Sequence, residues 1–220
     1  NNTNGGNIMD LQELSLAVQK GKRKIVKQLV QQGIDEGMDA KDILDNGLIS
    51  AMGIIGEEFK ENKIFVPEML VARAMTAGLQ LLEPLMTETG VEPIGTVVIG
   101  TVKGDLHDIG KNLVAMMMRG MGATVYDLGV DVPASAFIEK AEEVGADIVC
   151  LSALLTTTMP AIGEVIEEFT KAGIRDKYYI MIGGAPVSQA FADEVKADAY
   201  TSNASDAATV AKEYLLKKKA

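Results

Sequence analysis

Tryptophan is absent from the chain, and cysteine and histidine each occur once. One cysteine, Cys150, allows no internal disulfide, so a reducing cytoplasm is the expected home. No apolar run nears the roughly 18 residues that a membrane span needs, and no signal peptide is visible. Basic residues are outnumbered, 21 against 31 acidic, giving a formal charge of −10 and a pI near 4.7. That balance argues against nucleic acid or an anionic membrane as the main partner. The phosphate-cradling G-x-x-x-x-G-K-[ST] pattern is missing. So is a G-x-G-x-x-G after the first expected strand, which removes the P-loop and the usual dinucleotide fingerprint.

Hydrophobic residues make up 47% of the 220, enough for one or two domains with real cores. Asn1–Asn7 (NNTNGGN) reads as a tag remnant or a disordered arm. Residues 8–88 then show helical spacing. Leu11, Leu14, Leu16 and Val18 share one short amphipathic segment that stops at Gly21. Ile25, Val26, Leu29 and Val30 repeat in a second, ended by Gly33. Asp39 suits the N-cap of a third, carrying Ile43, Leu44, Leu48, Met52 and Ile55. Pro67 and Glu68 open a fourth with Leu70, Ala74, Ala77, Leu81 and Leu85. Short connections imply a four-helix bundle.

Glu88–Gly95 reads as a linker, and from residue 95 to 220 strand and helix patterns alternate. Strands are expected at Thr96–Gly100, Thr124–Leu128, Asp147–Leu151, Tyr178–Ile182 and Ala199–Thr201. Helices should begin near Ile109, Ala134, Met159, Ser188 and Ser205. Five such units describe an α/β fold, a five-stranded doubly wound parallel sheet of flavodoxin-like order 2-1-3-4-5. Its switch point lies between strands one and three, so ligands belong beside the loops that follow them.

The loop after strand one, GTVKGDLHDIGKN, holds the sole histidine, His107, with Asp105 two residues before it and Gly110 three after. A lone histidine is ordinarily a solvated or satisfied side chain. Imidazole is also the commonest side-chain metal ligand and usually gives its second N–H to a carboxylate, a role open to Asp105. One histidine without nearby cysteines cannot close a zinc site. It suits a metal already held by a macrocycle. The loop after strand three, SALLTTTM, offers Ser152, Thr156, Thr157 and Thr158, where the plain reading of Thr158 is the cap of the next helix. Gly183-Gly184 after strand four is either a tight turn or backbone bared for a flat ligand.

Asp105-x-His107-x-x-Gly110 resembles the signature of cobalamin (B12) domains. Ser152-x-Leu154 resembles the second motif of that family, Gly183-Gly184 the third, and Asn203-Ala204-Ser205 the fourth contact loop. The bundle resembles the cap domain of methyl-transferring corrinoid proteins and methionine synthase. The resemblance implies cobalamin bound base-off and His-on, with His107 the lower ligand of cobalt. It implies cofactor contacts from Gly104, Asp105, Leu106, Asp108, Ile109, Gly110, Ser152, Leu154, Thr156, Thr158, Gly183, Gly184 and Ala204. Phe65 resembles the aromatic laid over the methyl group, and equally a bundle-core residue. Asp105 would accept the His107 Nδ1 proton, and Thr158 would extend the relay in place of the family's serine.

Met116, Met117, Met118, Met121 and Cys150 read as core, and Asp35, Glu36, Glu57, Glu58 and Glu61 as a solvated face. The expected role is a methyl carrier without a substrate site of its own. It would work between a substrate-specific methyltransferase and an acceptor methyltransferase, with a reductive activase. The rivals are the B12 subunit of an adenosylcobalamin mutase and a B12 sensor. The missing basic helix-turn-helix disfavours the sensor, and the helical cap disfavours the mutase.

Overall fold

The computed structural model describes residues 8–60, 66–88 and 93–220. The chain divides into two compact units, Asn1–Val91 and Glu92–Ala220.

Among the described residues, four helical rods build the first unit. They are α1 (Leu11–Gln19), α2 (Arg23–Asp35), a third rod and α5 (Glu68–Glu88). The third runs from α3 (Ala40–Asp42) through a π-helical stretch, Ile43–Ile49, into α4 (Ser50–Lys60). Asp10 caps α1 through Gln12 N, and Asp39 caps α3 through Lys41 N. The π stretch differs from the plain helix expected. Gly47 lies within it, where a Cβ would stand only 2.6 Å from Leu14 Cδ2, so α1 seats directly on bare backbone.

The buried face departs from the expected stripe at its ends. Leu14, Ala17, Val18, Val26, Leu29 and Val30 are buried, but Leu16 and Leu70 are 51% and 40% exposed. On α5 the buried positions are Val71, Ala74, Met75, Ala77 and Leu82, while Leu81 and Leu85 are half-buried. Gly33 does not end α2. It is buried inside the helix, where a Cβ would meet Met9 Cε at 2.7 Å and Ile43 Cδ1 at 2.9 Å. The turn comes at Gly37, whose φ is 78°. Phe65 and Glu61 lie outside the described residues.

The second unit is a parallel sheet of order β2-β1-β3-β4-β5. Its strands are β1 (Thr96–Thr101), β2 (Thr124–Asp127), β3 (Ile148–Ser152), β4 (Tyr179–Gly183) and β5 (Ala199–Tyr200). Alternate residues feed two cores, as the two-residue strand period requires. Val98, Val149, Leu151, Ile180 and Ile182 pack with Phe137 of α7 (Ala134–Val144) and Ile162, Val165 and Phe169 of α8 (Met159–Lys171). Val97, Ile99, Ile148, Cys150 and Met181 pack on the other face. Their partners are Ala115 and Met118 of α6 (Ile109–Gly120) and Ala211 and Leu215 of α10 (Ala204–Lys219). Gly100 leaves room for Phe137, whose Cζ lies 2.8 Å from where a Cβ would be.

The order and the helix starts follow the sequence reading. The strand ends shift by a residue, with a consequence for the site. Ser152 and Gly183, expected in loops, are the last residues of β3 and β4. They stand in register with Thr101 of β1, making one row Thr101–Ser152–Gly183 along the carboxyl edge. The strand order reverses between β1 and β3, with β2 laid to one side of β1 and β3 to the other, so the loops after β1 and β3 part there and leave a crevice for a ligand.

Candidate cofactor site

Asp105 N donates to Val102 O at 3.1 Å, closing a turn over 102–105. Gly104 has the positive φ, 85°, that the third position of a type II turn demands. The turn drives the Asp105 side chain inward, where it is 0% exposed. Oδ1 accepts from His107 N and faces His107 Nδ1, both at 3.0 Å. Oδ2 accepts from Leu154 N and Thr158 Oγ1, both at 2.7 Å. One carboxylate thus ties the loop after β1 to the loop after β3.

Burial alone would raise the Asp105 pKa. The Thr158 hydroxyl, the Leu154 and His107 amides and the His107 ring outweigh burial and hold it well below the usual carboxylate range. An ionised acceptor at Nδ1 assigns the ring proton to that nitrogen, leaving the Nε2 lone pair free on a side chain that is half exposed. The His107 backbone is fixed as well, because the buried Thr101 hydroxyl donates to His107 O at 2.8 Å.

Thr158 departs from its plain reading. It precedes α8 but makes no side-chain cap bond. Its hydroxyl lies 2.7 Å from Asp105 Oδ2 and 3.0 Å from Leu155 O. A hydroxyl has one proton, and the shorter, charge-assisted bond to the carboxylate wins.

The other expected residues are placed as follows. Leu106, Leu154 and Leu155 are 72%, 40% and 42% exposed and give the loops an apolar rim. Ser152 is half-buried, while Thr156 and Thr157 are exposed. Asp108 precedes α6 without a side-chain cap bond, and Ile109 and Gly110 open that helix. Ala204 is buried at the start of α10, whose cap is Asn203, accepting from Asp206 N at 2.8 Å.

The two neighbouring glycines differ. Gly184 has φ 129°, and a Cβ there would collide with the Ala153 carbonyl. Gly183 has an ordinary φ, and a Cβ would sit 3.4 Å from Thr201 O. The fold therefore requires glycine at 184 but not at 183, where bare backbone keeps space open beside the row.

Sequence reasoning missed three contributors. Thr101 falls in the expected loop with no role assigned; it ends β1 and holds His107 O. Asp131, after β2, bonds Gly104 N and Asp105 O. Lys111 is 3% exposed, with Nζ 2.5 Å from Asp127 Oδ2 and 2.6 Å from Asn112 Oδ1, and braces α6 against β2. The signal for the last pair was a lysine in the first turn of a helix, where the dipole disfavours it unless a carboxylate faces it. Cys150 is buried in the core, and burial pushes its thiol up to about 12, which excludes a nucleophile.

Among the described residues no three His, Cys, Asp or Glu side chains gather to hold a free metal ion. A single oriented imidazole, an apolar rim and backbone bared at Gly183 fit a metal that arrives in a flat, largely apolar macrocycle.

A family model described as a B12 binding domain matches residues 95–211, and a second of the same description matches 10–83. The chain belongs to the B12-binding corrinoid proteins. It is 43% identical over 209 residues to a corrinoid protein of Desulfitobacterium hafniense strain Y51, covering 93% of this chain and 97% of that one. It is 45% identical over 212 residues to dimethylamine corrinoid protein 1 of Methanosarcina mazei, covering 94% and 97%. The crystal structure of a cobalamin-binding protein from Desulfitobacterium hafniense DCB-2 superposes with a TM-score of 0.77 at 28% identity, over 94% of this chain and 99% of that. The methanol:cobalamin methyltransferase complex of Methanosarcina barkeri gives 0.70 at 32%, over 94% and 79%. These corrinoid relatives extend through both units, so the bundle is part of the family architecture.

Proposed function

We propose that this corrinoid protein is a methyl carrier of a cobalamin-dependent methyltransferase system, working in the cytoplasm. The observation that carries the reading is the Asp105-centred set of hydrogen bonds, which leaves Nε2 of the only histidine free at the sheet's carboxyl edge. On this reading His107 Nε2 would hold the cobalt of the corrinoid, in place of the cofactor's own base. Leu106, Leu154, Leu155 and Ser152 line its approach, and Gly183 leaves room for its nucleotide tail. When bound, the corrinoid would supply a cobalt able to carry a methyl group between two methyltransferases, one holding the donor and one holding the acceptor, tetrahydrofolate or a thiol.

This chain's part is to hold that ligand and its proton. Asp105 keeps the Nδ1 proton in place and stays ionised under its four donors. A proton taken by His107 Nε2 competes with ligation, and the resulting imidazolium stays paired with Asp105. Ligand release and proton uptake are therefore coupled at one ring. Thr158 and the Leu154 amide hold the carboxylate fixed through the change.

Relatives named for dimethylamine, 45% identical over nearly their whole length, support a methylated amine as donor. A reductive activase completes the expected partners. The reading is tested by loading the protein with hydroxocobalamin, reducing it, and adding dimethylamine with a dimethylamine-specific methyltransferase. The expected result is one methylated cofactor per chain, seen in the visible spectrum. A loaded, reduced protein that accepts no methyl group from the methylamine or methanol transferases would contradict it.

A further inference from the structure

The loop after β2, Gly129 to Val132, touches the histidine loop through Asp131. Asp131 is one of two non-glycine residues with a left-handed backbone among those described, at φ 51°. Asparagine and aspartate tolerate that conformation best, but it still costs energy at a non-glycine residue.

The conformation has an identifiable result. Asp131 N donates to Asp105 O at 2.9 Å, and Asp131 Oδ1 accepts from Gly104 N at 2.7 Å. One partner is the residue before Asp105 and the other is Asp105's own carbonyl, so one residue grips the turn on both sides of the Cα that carries the imidazole's carboxylate partner. The loop itself is anchored to β1. Thr101 N donates to Gly129 O at 2.9 Å and Val132 N to Thr101 O at 3.0 Å. Thr101 in turn holds His107 O. Strand, brace and histidine loop thus form a closed frame.

We propose that Asp131 is a positioning residue for the axial ligand. From outside the motif it fixes the turn that sets the aim of His107 Nε2. This rests on the reading of His107 as the lower ligand. Glycine at 131 would relieve the backbone and keep the amide bond while removing the carboxylate. Asparagine keeps an acceptor oxygen and tolerates the same φ.

The test uses full-length wild type, Asp131→Gly and Asp131→Asn, each labelled with nitrogen-15 histidine. Because the chain has one histidine, its two ring nitrogens give one pair of signals. Without cofactor, wild type and Asp131→Asn should show a strong excess of the Nδ1–H tautomer. Asp131→Gly should move toward the averaged shifts of a free imidazole. Loaded with cobalamin, Asp131→Gly should show a ratio of histidine-on to histidine-off about tenfold lower, the smaller end of what losing an outer partner costs. Asp131→Asn should restore it. Identical tautomer signals in wild type and Asp131→Gly would overturn the proposal. A wild type with the expected tautomer but no histidine-on cobalamin would overturn the ligand reading and not the brace.

Discussion

Replacing Asp105 by alanine removes the acceptor of four donors at once, and the losses are unequal. Thr158 has a second acceptor within reach, Leu155 O at 3.0 Å. His107 is half exposed and can turn to water. The Leu154 amide loses a charge-assisted bond of 2.7 Å, and a hydrogen bond to a charged group is worth roughly 1.5–3 kcal/mol. The expected result is a loss of about 2 kcal/mol in urea unfolding, followed by circular dichroism. The functional loss should be greater, since removing the partner of a ligating histidine typically costs roughly 10- to 100-fold in affinity. The depressed Asp105 pKa sets the pH dependence. Its stabilisation is fully present above the unfolded carboxylate value, near pH 4, and is lost as pH falls through the lower folded value. Wild type and Asp105→Ala should therefore converge in stability in strong acid and differ by a constant amount from about pH 5 upward. Equal stability at neutral pH would remove Asp105 as the tie between the two loops.

Gly184→Ala should be the more damaging change to the fold. A left-handed or mirror-region backbone costs a non-glycine residue about 1–3 kcal/mol. The new methyl group must also displace the Ala153 carbonyl, because backbone cannot rotate aside. Ala153 precedes Leu154, so the displacement reaches the amide that holds Asp105 Oδ2 at 2.7 Å. A total of about 3 kcal/mol or more is expected, with cobalamin binding lost alongside. Gly183→Ala makes the contrast. Its Cβ would meet only Thr201 O at 3.4 Å, so stability should change by less than about 0.5 kcal/mol. Gly183→Val should keep the fold yet weaken cobalamin binding. Unchanged affinity in Gly183→Val, measured by fluorescence-free titration of the cofactor's visible absorbance, would show that this space takes no part of the cofactor.

The architecture of the sheet was legible because its signals are local and repeated. Apolar runs at Thr96, Thr124 and Asp147, each followed by a helical stripe, leave few arrangements for a parallel sheet. The motif residues were legible through chemistry, since a sole histidine two residues from an aspartate on a strand-end loop limits what it can do. What could not be read was long-range. Nothing in a pattern says that Leu154 acts through its amide, because every residue but proline has one. Position alone makes Thr158 a helix cap; its place beside Asp105, 53 residues earlier in the chain, was expected only through the family resemblance, and the fold supplies the contact. Asp131 carried no signal in the sequence, because its carboxylate answers to Gly104, 27 positions before it in the chain. In the bundle, Leu16 and Leu70 show the limit of periodicity, which assigns a helix its apolar stripe but not its edges. The π-helical stretch over Ile43–Ile49 escapes a 3.6-residue template altogether.

One histidine in 220 residues makes the central claim measurable without mutation. The protein, labelled with nitrogen-15 histidine and loaded with unlabelled cobalamin, is reduced by one electron to its paramagnetic cobalt(II) state, and the axial nitrogen hyperfine pattern is recorded. If His107 Nε2 ligates the cobalt, the three-line splitting of nitrogen-14 becomes the two-line splitting of nitrogen-15. Three lines that persist despite labelling would mean that the cofactor's own base still holds the metal, and the carrier site described above would be wrong.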